Sequence, residues 1–304
     1  MNVMSWRTVV VTQHAKISYS GRRIIVQTNE TIHQIPIDDI QILLISTLQV
    51  VLTAPAITEL SQAGAKIIFT GRDSNPTCEV TELYPGNRNS ISIQNQAQWP
   101  RELKETLWDA IVQAKIDMQL QSAALLGHKI IALKKEATQM QFADKTNKEA
   151  VIARKYFQLI FGKDFIRTDC SPINAALNYG YSILLAAVNR EIVGNGFLTQ
   201  LGVHHHNAMS DFNLGSDLME PFRPIIDYWV ASQKFNELTP DVKFGLIELL
   251  NLEIKYNGKN TLLRNALTKH VQNCLNYTTH PQEKLTVKVA LIHEVPHHAL
   301  ISNV

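Results

Sequence analysis

The chain has 304 residues, of which 45% are hydrophobic and 18% are charged, and its formal net charge is +2. This composition excludes an intrinsically disordered protein, and the length predicts two domains or one large one. The three cysteines lie far apart and form no C-x-x-C pair, which indicates neither a disulfide framework nor a zinc ribbon, so we expect a protein of the reducing cytoplasm.

Short β-branched runs with the strand period of two occupy the first part of the chain. Turn signals such as Ser20-Gly21 separate them. We predict a β-rich meander, built as one sheet with a short helix over residues 55–62 that stops at Gly64. The predicted strands cover residues 8–11, 16–19, 23–26, 31–35, 40–45 and 66–70.

Residues 84–100 have no strong period and contain turn formers, so we place a domain boundary there. After it, the spacing of apolar residues becomes helical. The predicted fold class is α+β: a small N-terminal β-rich domain, residues 1–98, precedes a larger all-α domain, residues 99–304. The predicted helices cover residues 103–125, 147–161, 172–193, 221–231, 240–252 and 262–275.

No segment is predicted to direct export or to cross a membrane. The N-terminus lacks the basic flank, apolar core and cleavage site of a signal peptide. Two uncharged windows, residues 40–58 and 172–189, approach the spanning length, but polar residues such as Gln41 and Asn178 interrupt them. We therefore expect both windows to be buried elements of a globular core.

Basic residues are concentrated in one stretch of an otherwise nearly neutral chain. Residues 128–167 contain nine Lys and Arg against four Asp and Glu. Such a local excess is suited to a phosphate backbone, although solvated faces of exposed helices explain it at least as well.

Glu149 is the first acidic candidate for chemistry. It precedes Tyr156 and Phe157 by seven and eight residues, so on a helix its carboxylate shares their apolar face and needs a partner such as a metal ion. Thr146 and Glu149 also have the spacing of a capping box, which is a purely structural alternative.

Three consecutive histidines follow Gly202. In an extended segment His204 and His206 point to one side and His205 to the other, so at most two act together. Neutral imidazole is a common metal ligand. A polar loop of solvated histidines is the alternative.

Asp217 and Glu220 form the third candidate group. On a helical turn their i, i+3 spacing directs both carboxylates one way, with Arg223 one turn further along. This arrangement is suited to a hard divalent cation and a phosphate. A helix N-terminus, where acids and a first-turn proline are favoured, is the structural alternative.

The string His293-Glu294-Val295-Pro296-His297 matches the H-E-x-x-H pattern of zinc proteases. That pattern requires a helix that brings both histidines to one face. Pro296 disrupts such a helix, so we do not interpret this string as a metal site.

Four motifs in this order resemble the integrase subunit of CRISPR adaptation, the universal spacer-acquisition family. The resemblance covers essentially the whole chain, because a β-rich start followed by a helical catalytic domain is also the family's arrangement. The histidine and D-L-M-E-P-F-R-P segments are similar to the branch that accompanies type II systems. The motifs are E-A-x-x-A-R-x-Y-F from Glu149, N-x-x-x-N-Y-G-Y from Asn174, L-G-x-H-H from Leu201 and D-L-M-E-P-F-R-P from Asp217.

The resemblance implies that Glu149, His205 and Glu220 are the catalytic residues and bind Mg²⁺ or Mn²⁺. His205 matches the family pattern G-x-x-H, and Glu220 matches D-x-x-E. Arg223 occupies a position that is commonly basic in the family, which implies a contact with DNA phosphate.

The implied activity is that of a metal-dependent DNA endonuclease and integrase, which inserts captured foreign DNA fragments as spacers into a CRISPR array. A fragment's 3′-hydroxyl attacks a phosphodiester of the repeat. The implied partners are double-stranded DNA, a second copy of the chain bound through the β domains, and a small ferredoxin-like subunit that bridges two dimers. Type II relatives also work with the effector nuclease and, in one subtype, with a ring-shaped protein that binds DNA ends.

Two other functions compete with this interpretation. The first is a non-catalytic, DNA-binding scaffold whose acidic residues only cap helices. The second is a zinc-dependent hydrolase that uses His204 and His206 as an H-x-H pair with a carboxylate.

Overall fold

The structure, a computed structural model, describes residues 7–71, 76–80 and 90–292. It divides into two compact units, Met1–Gly86 and Asn87–Val304. The division falls twelve residues before the predicted boundary, and helix α2 (Ser90–Ala97) belongs to the second unit. The H-E-x-x-H string from His293 lies outside the described residues.

The first unit contains two four-stranded sheets. One has the order β1-β5-β7-β8 and the other β4-β3-β2-β6. Helix α1 (Ala54–Gln62) contributes Ala56 and Leu60 to a core shared with strands of both sheets. The strands are β1 (Arg7–Val11), β2 (Ala15–Ser20), β3 (Arg23–Gln27), β4 (Ile32–Pro36), β5 (Ile40–Ile45), β6 (Val50–Leu52), β7 (Lys66–Thr70) and β8 (Pro76–Val80).

The prediction of a single meander is wrong, although each predicted strand is present. Strands β2, β3 and β4 do pair antiparallel in sequence order, as the turn signals indicated. Strand β5, however, pairs parallel with both β1 and β7, and it belongs to the other sheet. All six residues of β5 are buried, as is usual for a strand inside a parallel sheet. A strand period identifies strands but not their partners.

The second unit is mostly helical, which confirms the α+β class and the predicted change of pattern after the boundary. One face of the long helix α3 carries Leu107, Trp108 and Ile111 into the core, as predicted. None of the described helices is both long and apolar enough to span a membrane. The helices after α2 are α3 (Arg101–Leu125), α4 (Ile131–Ala137), α5 (Lys148–Phe161), α6 (Pro172–Gly194), α7 (Asn213–Met219), α8 (Arg223–Ser232), α9 (Pro240–Glu248) and α10 (Leu263–Thr279).

A small antiparallel sheet corrects the prediction that this part is all-α. Strand β9 (Glu253–Tyr256) lies between β10 (Lys259–Leu262) and β11 (Val289–Leu291). The β9–β10 turn is Asn257-Gly258, and both residues have positive φ, of 47° and 83°. An Asn-Gly pair between short strands is a strong hairpin signal, which the helical pattern on either side obscured.

Helices α6 and α8 approach closely at Gly180. A Cβ atom there would overlap Ile226 Cγ2 and lie 3.2 Å from Leu246 Cδ2. Gly180 therefore allows the backbone of α6 to pack against α8, the helix that begins at Arg223.

We expect Gly180→Ala to lower the free energy of unfolding by about 1–3 kcal/mol, because the added methyl overpacks a buried contact. Urea denaturation measures this. Gly194→Ala on the same helix is the matched control, since nothing lies within 4 Å of the Cβ position there. Equal stability of the two variants would contradict the close-packing explanation.

Candidate active site

Lys115 lies on the buried face of α3, between two of the predicted ligands. Only 8% of the residue is exposed. Its Nζ lies 2.5 Å from Glu149 Oε1 and also contacts Glu220 Oε2. Burial by itself lowers the pKa of a lysine, but the two carboxylates outweigh it and raise the pKa of Lys115. One ammonium therefore joins the two glutamates.

A carboxylate from the preceding loop holds Glu149 at the start of α5. Asp144 accepts hydrogen bonds from the backbone N–H of Lys148, at 2.7 Å, and of Glu149, at 3.1 Å. The capping-box alternative is wrong: α5 begins at Lys148 after Asn147, and the Glu149 side chain pairs with Lys115. The carboxylate of Glu149 thus faces inward, as its helical spacing predicts.

The backbone of this loop is strained. Ala143, Asp144 and Asn147 have φ values of 57°, 50° and 52°, a left-handed conformation that costs a non-glycine residue roughly 1–2 kcal/mol. The Ala143 N–H donates to Asp109 Oδ1 of α3 at 2.8 Å. Asp109 and Asp144 therefore fix the loop, and through it the position of Glu149.

Glu220 lies in the single 3₁₀ turn Glu220–Phe222 between α7 and α8, and only 3% of it is exposed. Its Oε1 lies 3.2 Å from Arg223 Nε. Its Oε2 pairs with the Lys115 ammonium. Burial by itself raises the pKa of this carboxyl, but Arg223 and Lys115 outweigh it, and the pKa of Glu220 is lowered.

Asp217 has different partners from Glu220, although the two are three residues apart. It is completely buried. Its carboxylate accepts hydrogen bonds from the backbone N–H groups of Val203, His204 and His205, at 2.7, 3.0 and 3.1 Å. Asp217 therefore shapes the histidine loop, and this carboxylate is not available to a metal ion.

The same carboxylate orients the His205 ring, whose Nδ1 lies 2.5 Å from Asp217 Oδ1. This hydrogen bond raises the pKa of His205 despite its partial burial. Because Nδ1 is engaged, Nε2 is the nitrogen left for a ligand. A carboxylate bonded to one ring nitrogen is a common support for a metal-binding histidine.

Gly202 permits the close approach of the loop to α7. A Cβ atom there would lie 2.5 Å from the His205 carbonyl oxygen and 2.8 Å from Asp217 Oδ2. The glycine of the L-G-x-H-H motif is therefore required by packing.

His204 and His206 point away from this network, as the predicted alternation requires. The His204 ring stacks on Trp108, with the ring centroids 3.9 Å apart, and burial lowers its pKa. Both histidines line a cavity of about 410 Å³. Its other lining residues are Trp99, Arg101, Lys104, Glu105, Trp108, Ala143 and Val203.

Arg223 is largely occupied by protein contacts. Besides its pairing with Glu220, its guanidinium lies over the Tyr181 ring, 4.9 Å from the centroid. Tyr181 in turn donates to the buried Asp227, whose pKa burial raises to about 7. Tyr181, the last residue of the N-x-x-x-N-Y-G-Y motif, therefore packs against the guanidinium of Arg223.

Asn174 and Asn178, the two amides of that motif, both accept hydrogen bonds from one arginine. Arg167 donates to Asn174 Oδ1 at 3.2 Å and to Asn178 Oδ1 at 2.7 Å. Its guanidinium also lies over Tyr181, 5.2 Å from the ring centroid.

In the structure, Glu149 and Glu220 both contact the Lys115 ammonium, whereas His205 is hydrogen-bonded to Asp217. Within residues 7–71, 76–80 and 90–292, no three His, Cys, Asp or Glu side chains converge closely enough to bind a single metal ion. Lys115 fills the space between the two glutamates.

Sequence reasoning missed Lys115 and Asp144. Lys115 follows Trp108 by seven residues and Ile111 by four, so the buried spacing of α3 carried a signal for it. Asp144 had no comparable signal, because its capping role depends on an irregular loop.

We expect Asp144→Ala to lower the free energy of unfolding by about 1–2 kcal/mol, because two backbone N–H groups at the start of α5 lose their acceptor. Chemical denaturation measures the change. Asp164→Ala, at an exposed position, is the control and should change stability by less than about 0.5 kcal/mol. A loss no larger than the control's would show that Asp144 does not secure α5.

Comparison with known proteins identifies the family of this chain. The family model described as "CRISPR associated protein Cas1" matches residues 8–264. The CRISPR-associated endonuclease Cas1 of Neisseria meningitidis serogroup C is 32% identical over 277 residues, which cover 89% of this chain and 91% of the relative.

Solved structures share the fold. A casposase bound to its integration product has a TM-score of 0.76 at 20% identity, with 92% of both chains covered. A Cas6-RT-Cas1–Cas2 complex has a TM-score of 0.74 at 20% identity, with 93% of this chain and 36% of that chain covered. Since the family model spans most of the chain and the Neisseria relative matches nearly all of it, this protein belongs to the Cas1 family.

Proposed function

We propose that this protein is a divalent-metal-dependent DNA endonuclease and integrase that inserts captured DNA fragments as new spacers into a CRISPR array. The observation that carries the proposal is the pair of glutamates, Glu149 and Glu220, held together beside a histidine with one ring nitrogen fixed. Membership of the Cas1 family supplies the class of reaction.

The donor types suit a hard divalent cation, although no three of them converge on one point among the described residues. Glu220 Oε2 is a buried anionic oxygen whose close contact is already a cation, Lys115. Two carboxylates with one imidazole are suited to Mg²⁺ or Mn²⁺. We propose Glu149, Glu220 and His205 Nε2 as the ligands.

When bound, the metal ion would polarise the target phosphate and favour deprotonation of the attacking hydroxyl. In the reaction, the fragment's 3′-oxygen forms a bond to phosphorus as the bond from phosphorus to the leaving 3′-oxygen breaks. The attacking hydroxyl loses a proton and the leaving oxygen gains one. The number of phosphodiester bonds is unchanged, so strand transfer needs no nucleotide cofactor.

The remaining residues orient this centre. Asp217 fixes the ring and tautomer of His205, and Asp144 fixes the first turn of α5. Arg223 is proposed to contact a DNA phosphate with the guanidinium N–H groups that Glu220 does not use.

DNA is the proposed substrate and double-stranded DNA the main partner. Seven of the nine basic residues in 128–167 are exposed, so they are available to a phosphate backbone. The exposed residues are Lys129, Lys134, Lys135, Lys145, Arg154, Lys155 and Lys163.

The Cas6-RT-Cas1–Cas2 complex supports a second adaptation subunit as a partner, and the casposase bound to its integration product supports DNA. We propose a homodimer through the β-rich unit, bridged to a second dimer by the small second adaptation subunit. The type II effector nuclease and a ring-shaped DNA-end-binding protein are proposed as additional partners of this branch.

We expect Glu149→Gln, His205→Ala and Glu220→Gln each to reduce strand transfer at least about 100-fold, because each removes one proposed ligand. The assay joins a fragment with free 3′-hydroxyls to a supercoiled repeat-bearing plasmid, with the second subunit and Mg²⁺ or Mn²⁺ present. Circular dichroism and a DNA-binding measurement show whether each variant is folded and bound.

Two variants serve as matched controls. Glu237→Gln changes an exposed glutamate, and His206→Ala changes a neighbouring histidine on the cavity side of the loop. Both should retain strand transfer. Folded, DNA-bound wild-type protein without any joined product would favour the non-catalytic scaffold.

The zinc-hydrolase alternative predicts different experimental results. It requires stoichiometric zinc in the purified protein and loss of activity in His204→Ala with His205→Ala unaffected. We expect the opposite pattern, because His204 stacks on Trp108 while His205 is oriented by Asp217. Elemental analysis and the same strand-transfer assay distinguish the two.

A further inference from the structure

We propose that Lys115 is a displaceable internal cation: its ammonium occupies the space between Glu149 and Glu220 until a divalent cation replaces it, and this competition sets the metal affinity of the site. The inference rests on the proposed metal site and adds a positioning residue to it.

The contacts of Lys115 are those of a bridging cation. Its Nζ contacts one oxygen of each glutamate, and the side chain is buried. The three residues come from separate elements, since Lys115 lies on α3, Glu149 on α5 and Glu220 in the turn before α8. Helix packing brings the three residues together, and the ammonium offsets the repulsion between the two carboxylates.

Charge balance requires the ammonium to leave when a metal ion binds both glutamates. Lys115 and Arg223 already neutralise the two carboxylates. A dication bound in addition would give the buried cluster a large positive excess, with two cations competing for the same oxygens. The site can accept the metal on both glutamates only when the Lys115 ammonium moves to other acceptors, such as water or DNA phosphate.

Lysine is suited to this exchange. Its charge sits at the end of a flexible four-carbon stem, so the ammonium can move several ångströms without a backbone change. Arg223, in contrast, is confined by its contact with the Tyr181 ring as well as by Glu220. Lys115, and not Arg223, is therefore the cation that the metal ion displaces.

Mn²⁺ binding to the full-length protein tests the competition. Electron paramagnetic resonance of free Mn²⁺ gives the Kd without any activity measurement. Removing the competing charge in Lys115→Met should lower the Kd for Mn²⁺ at least about tenfold, and Mn²⁺ should raise the Tm of this variant more than that of wild type. Lys115→Arg retains a competing cation and should not lower the Kd.

Lys66→Met is the matched control. Lys66 is also buried and pairs with a glutamate, Glu79, at 2.5 Å, but it lies in the first unit. This variant should leave the Kd unchanged. Circular dichroism establishes folding, and Lys115→Gln replaces Lys115→Met in the comparison should the latter not fold.

The outcomes separate this inference from the proposed function. An unchanged or higher Kd in folded Lys115→Met and Lys115→Gln would overturn the role of Lys115, provided that His205→Ala and Glu220→Gln weaken Mn²⁺ binding. Wild-type protein whose Mn²⁺ affinity is insensitive to His205→Ala and Glu220→Gln would instead reject the proposed metal site, and with it the competition.

Discussion

A lysine ammonium between two glutamates is the interaction on which the arrangement of the candidate site depends. Lys115 joins α3, α5 and the turn before α8 through contacts with Glu149 and Glu220. A buried carboxylate beside a partly buried one is unstable without positive charge, and a buried lysine is unstable without negative charge. Each charge is therefore tolerated only because the others are present. The cluster ties α3 to α5 and to the turn before α8.

The Asp217 carboxylate holds the backbone of the histidine loop, whereas Lys115 pairs with the side chains of Glu149 and Glu220. It satisfies three consecutive N–H groups of the loop and binds the His205 ring at the same time. The loop can follow this path because Gly202 has no side chain. The two neighbouring acids differ in their partners: Asp217 accepts hydrogen bonds from the backbone and from His205, whereas Glu220 pairs with the cationic side chains of Lys115 and Arg223. Their identical residue class hides this difference in the sequence.

Much of the local structure could be predicted, because it depends on short-range periodicity. Six of the eight described strands of the first unit, the long helix α3 and the inward face of Glu149 follow from spacing alone, whereas β6 and β8 were not predicted. Pairing across distance could not be predicted: β5 has the same strand signature whether it joins a meander or a parallel sheet. The hairpin at Asn257-Gly258 carried a local signal that the surrounding helical patterns masked.

The candidate site could likewise be predicted only in part. Residue types and motif order indicated Glu149, His205 and Glu220, and the alternation of side chains separated His205 from His204. The partners of these residues come from elsewhere in the chain: Lys115 is 34 residues from Glu149, and Asp109 is 34 residues from Ala143. Such contacts are set by helix packing, which no single window of sequence contains.

The irregular loop before α5 determines the stage of folding at which Glu149 and Glu220 come together. The first turn of α5 relies on Asp144 in a left-handed conformation, and that loop is tied to α3 through Asp109. An isolated α5 therefore has no means of holding Glu149 in place. The two glutamates come together only after α3 and α5 have docked, so a nascent or partly folded chain lacks the paired acids. On the proposed function, folding itself delays any cutting chemistry until the helical unit is complete.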